Sequence, residues 1–362
     1  MALVAMTIFG CSKENDDITN SEVKVVKLSI KAGSLTRAVQ QPLTNGEKTT
    51  IHSLYVYFLD AATGNVVSGS KAIAGADLTA IQSVDGLEIT GVNTSAKYVY
   101  VVANYTENGV SLNGVTNLAD IKAKTAMMST TNTADWNKAL LSNSDKSDNG
   151  AIRVITGNKA SATVEIMPDL ARIEIASLAA KTSGITAPDV AVTQYDLKGV
   201  YLNGYFTGFY IGGAPFDPAV ALDLSGTALR NNVPTWAKDV YAPSLTGKTT
   251  YVAADAPSGS SGNVWAYMLP AGTTPRIIFD IDNVTYGINV PATQDKFITV
   301  KAFTESGTGT PLTEFLRGKV YKVTAVNFSA KDTHDTPNAE DINVTVTVDV
   351  LGWVGINIDP EL

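Results

Sequence analysis

Few residues in this 362-residue chain are equipped to do chemistry. There is one cysteine, Cys11, and there are two histidines, His52 and His334. A lone thiol cannot close a disulfide within the chain, and two histidines leave little material for a metal site or a catalytic triad. Cys11 can instead carry an acyl group, and its surroundings point that way. Met1–Gly10, MALVAMTIFG, is a short apolar run ending in a small residue directly before the cysteine, and Ser12-Lys13-Glu14-Asn15-Asp16-Asp17 follows as a polar tether. This is the shape of a bacterial lipoprotein signal. It departs from the ideal in two places: no Lys or Arg precedes the run, and Phe9 replaces the usual small residue two before the cysteine. The run is far shorter than the ~20 residues a membrane span needs. A buried strand with a core cysteine is the weaker reading, because the only cysteine falls where the acylation motif places it.

The second candidate is Arg37. Ala32-Gly33-Ser34 breaks the strand pattern before it, and Leu35-Thr36-Arg37 then offers an accessible basic residue to a trypsin-like protease, with Arg37 and Ala38 flanking the cut. The plain alternative is a surface arginine. Asp145-Lys146-Ser147-Asp148-Asn149-Gly150 resembles the first half of a calcium loop, but the position of the required twelfth-residue glutamate is Thr156, so a turn is the better reading. The aromatic run Tyr201, Tyr205, Phe206, Phe209 and Tyr210 could stack on sugar rings, as in a carbohydrate-binding surface lipoprotein. Alternating aromatics in a β protein more often pack core and edges. No Gly-x-Ser-x-Gly elbow and no phosphate loop occur. The expectation is a chain that is not an enzyme and needs neither cofactor nor metal.

The elements that must position these residues are strands. Aromatic and β-branched residues are abundant among Gly, Thr, Ser and Asn, which predicts an all-β protein with one or two short helices. Length alone suggests two domains. The net charge of −8 and pI near 4.9 argue against nucleic acid. Val26, Leu28 and Ile30 alternate with Lys27, Ser29 and Lys31, the period-two signature of a half-buried strand. Strands are also expected over 54–59, 87–92 and 97–104. A short helix is expected within 118–128, capped by Thr116 or Asn117, and then a long excursion over 129–150 anchored by Trp136, Leu140 and Leu141.

The pattern resets at Met167-Pro168-Asp169, where a second domain opens with a strand over 170–178. Strands follow over 191–201, 264–269, 276–281, 284–290 and 320–328. Finally, Asn343 to Leu351 puts Val344, Val346, Val348 and Val350 on one face and Thr345, Thr347 and Asp349 on the other. Gly352-Trp353 interrupts it, and Val354, Ile356 and Ile358 resume the alternation. Such a strand is either an edge of its own domain or available to another molecule. The domain organisation read from these signals is a signal over 1–11, a tether and removable first strand over 12–37, an amino-terminal β domain over 38–167, and a carboxy-terminal β domain over 168–362 with a tail at 343–362. Many short strands with turn signals favour sandwiches over a βαβ fold.

Taken together, the lipidation motif at Cys11, the strand Val23 to Ile30 followed by Arg37, the start at Leu170-Ala171-Arg172-Ile173 and the valine-rich end with Gly352-Trp353 resemble the fimbrillin family of Bacteroidales, the major subunits of type V fimbriae. The resemblance implies a precursor of two β-sandwich, transthyretin-like domains, exported as a lipoprotein to the outer membrane and then built into a cell-surface fimbrium. It implies that an arginine-specific protease cuts after Arg37, releasing the lipid at Cys11 and the strand bearing Val26, Leu28 and Ile30. It further implies that the groove left behind is filled by the tail of an identical subunit, with Val344, Val346, Val348, Val350, Val354, Ile356 and Ile358 as donor side chains. Tip and anchor subunits and host surface ligands are further possible partners, and the membrane is touched only through the lipid. Physically, removing a strand exposes unpaired backbone groups and a row of apolar pockets, and a donor strand satisfies both. Because donor and acceptor are different surfaces, contacts run head to tail and build an open filament. On this reading, deleting 344–362 leaves a folded subunit that cannot polymerise.

Overall fold

Alternating β-branched and aromatic side chains suit a pleated surface covered on at least one face, and such stretches make most of this molecule. The computed structural model describes residues 23–32, 49–129, 138–146, 148–216, 219–221, 225–240, 250–253, 264–287, 290–292, 295–337 and 344–352. Two large sheets contain most of the strands. The first comprises Val23–Ala32 (β1), Leu54–Leu59 (β2), Val66–Ile73 (β3), Leu87–Asn93 (β4), Tyr98–Ala103 (β5), Leu141–Asn143 (β6), Arg153–Thr156 (β7) and Lys159–Pro168 (β8). Its order is β3-β2-β5-β6-β8-β1-β4, with β7 paired to β8.

The second sheet is built on Leu170–Ile175 (β9), Val192–Asn203 (β10), Trp265–Pro270 (β11), Arg276–Tyr286 (β12), Lys296–Glu305 (β13), Lys319–Val323 (β14) and Val344–Gly352 (β15). These run in the order β10-β12-β13-β15-β14-β9-β11, with the short strand Lys238–Val240 outside β10. The chain passes from one sheet to the other at Asp169, the single residue between β8 and β9. The architecture is all-β and sandwich-like, as the sequence predicts. Three short helices, Ala76–Ile81, Leu118–Lys122 and Gly226–Asn232, occur among the described residues, where one or two are expected.

Three apolar clusters organise the packing. One face of the first sheet, with Val26, Leu28, Leu54, Val56, Phe58, Ile89 and Val164, closes its own core. The opposite face, with Tyr57, Leu59, Tyr100 and Val102, meets Leu170, Phe209, Met268 and Val320 from the second half of the chain. Burial on both faces explains why β2 reads LYVYFL, without polar alternation. The third and largest cluster fills the second sheet around Trp265, Phe279 and Phe328.

Several local expectations are corrected. Asn117 caps its helix, with the Asp120 N–H donating to Asn117 Oδ1 at 2.9 Å, but the helix ends at Lys122, and Thr125–Met127 is a strand paired with Gly208–Tyr210. The excursion over 129–150 contains a sheet strand, β6. The strands expected over 276–281 and 284–290 are largely one strand, β12. Asn283 at φ 49° forms a bulge in it, so the polar Asp282-Asn283 pair that reads as a turn is absorbed without ending the ladder. β13 has no counterpart in the expected strands.

Candidate functional site

β1 lies inside its sheet. It pairs antiparallel with β4, with Val26 opposite Ile89 and Leu28 opposite Leu87, and parallel with β8, with Val26 beside Ala160 and Ile30 beside Val164. Val26, Leu28 and Ile30 are 0%, 0% and 4% exposed and sit in the core of the first sheet. β1 is the strand that joins β4 to the rest of this sheet. Taking it out would strip β4 and β8 of one ladder each and open a groove lined by the groups that now cover these three side chains. The turn glycine Gly86 fits closely against the strand, since a Cβ there would meet the Leu28 carbonyl oxygen at 2.6 Å.

The inward face of β1 begins one residue pair earlier than its apolar series suggests. Lys24 is 8% exposed, and its ammonium donates to the carbonyl oxygens of Thr94, at 3.3 Å, and Ala96. Burial holds its pKa below the ordinary lysine value. The signal was present in the sequence, because Lys24 is in phase with Val26, Leu28 and Ile30.

The tail strand is likewise interior. β15 pairs parallel with β13, with Val300 beside Val344 and Glu305 beside Val348, and antiparallel with β14, with Val323 opposite Val348 and Lys319 opposite Gly352. Val344, Val346 and Val348 belong to the core of the second sheet, and Val350 packs partly against it. β15 is therefore not an edge strand. Deleting it would divide the sheet between β13 and β14, so a folded subunit lacking residues 344–362 is not expected. Cys11, Arg37, Ala38, Val354, Ile356 and Ile358 lie outside the described residues.

The backbone frame invites comparison with known proteins. Residues 24–166 match the family of the major fimbrial subunit protein, FimA. The match begins at Lys24 in β1 and ends at Ile166 in β8, so it spans the first sheet. In fold, the chain is similar to a fimbrilin from Porphyromonas gingivalis, at 13% identity and a TM-score of 0.53, covering 92% of this chain and 98% of that one. It is similar as well to a candidate cell adhesion protein from Parabacteroides distasonis, at 15% identity and a TM-score of 0.53, covering 93% and 98%. A third neighbour, a candidate cell adhesion protein from Bacteroides eggerthii, matches at 19% identity and a TM-score of 0.51, covering 92% and 96%. No curated protein matches the chain in sequence. The resemblance to fimbrillins holds over residues 24–166 in sequence, and the likeness to the solved structures extends it over most of the chain in fold.

The remaining chemical candidates resolve into structure. Tyr201, Tyr205, Phe206 and Phe209 are buried, which favours packing over a sugar platform. Asp145 does not face a cation site: its carboxylate accepts from Arg317 Nη2 at 2.5 Å and Nε at 3.1 Å. Among the described residues no cluster of carboxylate, imidazole or thiol groups could hold a metal, and no helix is long and apolar enough to cross a membrane. Arg317 is a residue that sequence reasoning missed. Its Nη1 donates to Asp169 Oδ1 at 2.7 Å and Ser142 Oγ at 3.0 Å, and its Nη2 donates to the Asn143 carbonyl at 2.8 Å. Ser142 also donates to Asp169 at 2.6 Å, and the Gly212 N–H donates to the other oxygen at 3.1 Å. Burial pulls the Arg317 pKa down, but Asp169 and Asp145 outweigh it and hold the guanidinium above its ordinary value. The result is a buried ionic latch where the two sheets meet.

Proposed function

We propose that this chain is a stalk subunit of a fimbria, exported as a lipoprotein through Cys11, cut between Arg37 and Ala38 by an arginine-specific protease, and joined head to tail by strand exchange. On this reading residues 38–167 form the acceptor domain and residues 168–362 the domain that supplies the tail. One observation carries the exchange: β1 and β15 have the same pairing pattern. Each lies between one parallel and one antiparallel neighbour and sends alternate aliphatic side chains into a core. A tail running in the direction of β1 would meet β8 parallel and β4 antiparallel, as β15 meets β13 and β14 in its own sheet.

Burial sets the scale. Three core side chains at ~1.5–3 kcal/mol each make roughly 5–9 kcal/mol of gross stabilisation that leaves with β1 and returns with a donor. Ladder hydrogen bonds at ~0.5–1.5 kcal/mol each add to it. Donating β15 itself would open the second sheet, whereas Val354, Ile356 and Ile358 repeat the Val26, Leu28 and Ile30 series and leave β15 in place. The donor segment is therefore assigned first to residues 354–358, with Val344, Val346, Val348 and Val350 following only if β15 is also extracted. The direct test is Arg37→Ala. That variant should stay lipidated and monomeric, and normal fibre assembly by it would sink the cleavage step.

A further inference from the structure

The groove that β1 fills ends in a polar socket. At that end the carbonyl oxygens of Thr94 and Ala96 converge on the Lys24 ammonium, on a turn where Ala96 is buried and Thr94 and Ser95 are exposed. Both carbonyls lose the ammonium when the strand leaves; the bond to Ala96 is the buried one, and a buried acceptor left unmatched is costly. Whatever strand replaces β1 either brings a cation to this place or leaves the socket to water.

This chain's own tail brings none. From Asp332 to Leu362 there is no Lys or Arg. When Val354, Ile356 and Ile358 take the places of Val26, Leu28 and Ile30, Gly352 falls at the place of Lys24. Shifting the tail in steps of two, which is the only shift that keeps its apolar face inward, puts Ile342, Val344, Val346 or Val348 there instead. The intervening positions add to the contrast: Lys27 stands opposite Glu88 in the register of β1, whereas the tail's sequence carries Asp349, Asp359 and Glu361.

We propose that the socket ranks donor strands, and that its best occupant is a strand of a different subunit carrying a lysine two residues before three alternating aliphatic residues. This rests on the removable-strand reading above. Copies of this chain fill the apolar part of the groove along the stalk, and a lysine-bearing donor outcompetes them wherever a non-identical subunit supplies one. One charge-assisted hydrogen bond in a buried place should give a preference of about tenfold.

The test uses the full chain cut after Arg37 and a fluorescent peptide of residues 22–34 as the groove probe, with unlabelled peptides as competitors. The first-strand peptide carrying Lys24→Ala should compete about tenfold less well than its parent. A tail peptide of residues 350–362 carrying Gly352→Lys should compete about tenfold better than the natural tail peptide. The protein is unchanged throughout, so no folding defect can imitate the result. Equal competition within both pairs overturns the socket. Failure of the unmodified 22–34 probe to bind the cut chain overturns the removable strand itself.

Discussion

Leu28→Ala separates a permanent strand from a temporary one. Leu28 is fully buried in the first core, opposite Leu87 and beside Ala162. The substitution removes three carbons, which at ~0.8 kcal/mol per buried methylene costs about 2.4 kcal/mol. A residual cavity raises this into the ~2–5 kcal/mol range of such changes. Against a total stability of ~5–15 kcal/mol, the uncut precursor should lose a sizeable part of its resistance to denaturant, read as a lower urea midpoint at unchanged slope. In the assembled filament the same substitution should have no effect, because the altered strand has left and a donor occupies its place. The assay is urea unfolding of the purified precursor set beside urea dissociation of filaments grown from it. A filament whose midpoint falls in step with the precursor's would refute strand removal.

Truncation should divide the tail. Ending the chain after Gly352 should leave a folded, cleavable monomer that cannot polymerise, whereas ending it at 343 should unfold the second sheet, both read by circular dichroism and size exclusion. At the ionic latch, Asp169→Ala leaves Arg317 with only Asp145 as counter-charge and should cost roughly 3–5 kcal/mol in denaturant unfolding, whereas Asp169→Leu with Arg317→Met should recover most of that loss. A single variant no less stable than the double one would show that the latch does not hold the sheets together.

What could be read from the sequence follows from where each signal originates. β1 and β15 announce themselves because one face is apolar and the other polar, and β2 because both faces are buried. β13 escaped notice because Phe297 and Phe303 share a face with Thr299 and Lys301, which blurs the alternation of Ile298, Val300 and Ala302, and because one of its partners, β15, is distant in the chain, with Val300 beside Val344. The bulge at Asn283 disguised one strand as two, since Asp-Asn reads as a turn until a long-range ladder overrides it. Residues from 125 to 127 read as helix because alanine and methionine suit one, and pairing with Gly208–Tyr210 decided otherwise. The site was legible as a pair of matching strands, but Arg317 was not. A lone arginine gives no hint that Asp145, Asp169 and Ser142, 172, 148 and 175 residues earlier, will converge on it.

The single-residue passage at Asp169 has a mechanical consequence. A strand seated in the groove of the first sheet is bonded along β8, β8 runs through Asp169 into β9, β9 pairs with β14, and β14 pairs with β15, from which the tail departs. Tension in a groove-to-tail filament would therefore cross each subunit through ladders sheared along their length, where many hydrogen bonds must fail together. The hinge most exposed to bending would be one residue long and clamped by Arg317. Pulling single subunits between β1 and β15 should then meet one high rupture force, and a low-force extension preceding it would show that the sheets part before either ladder does.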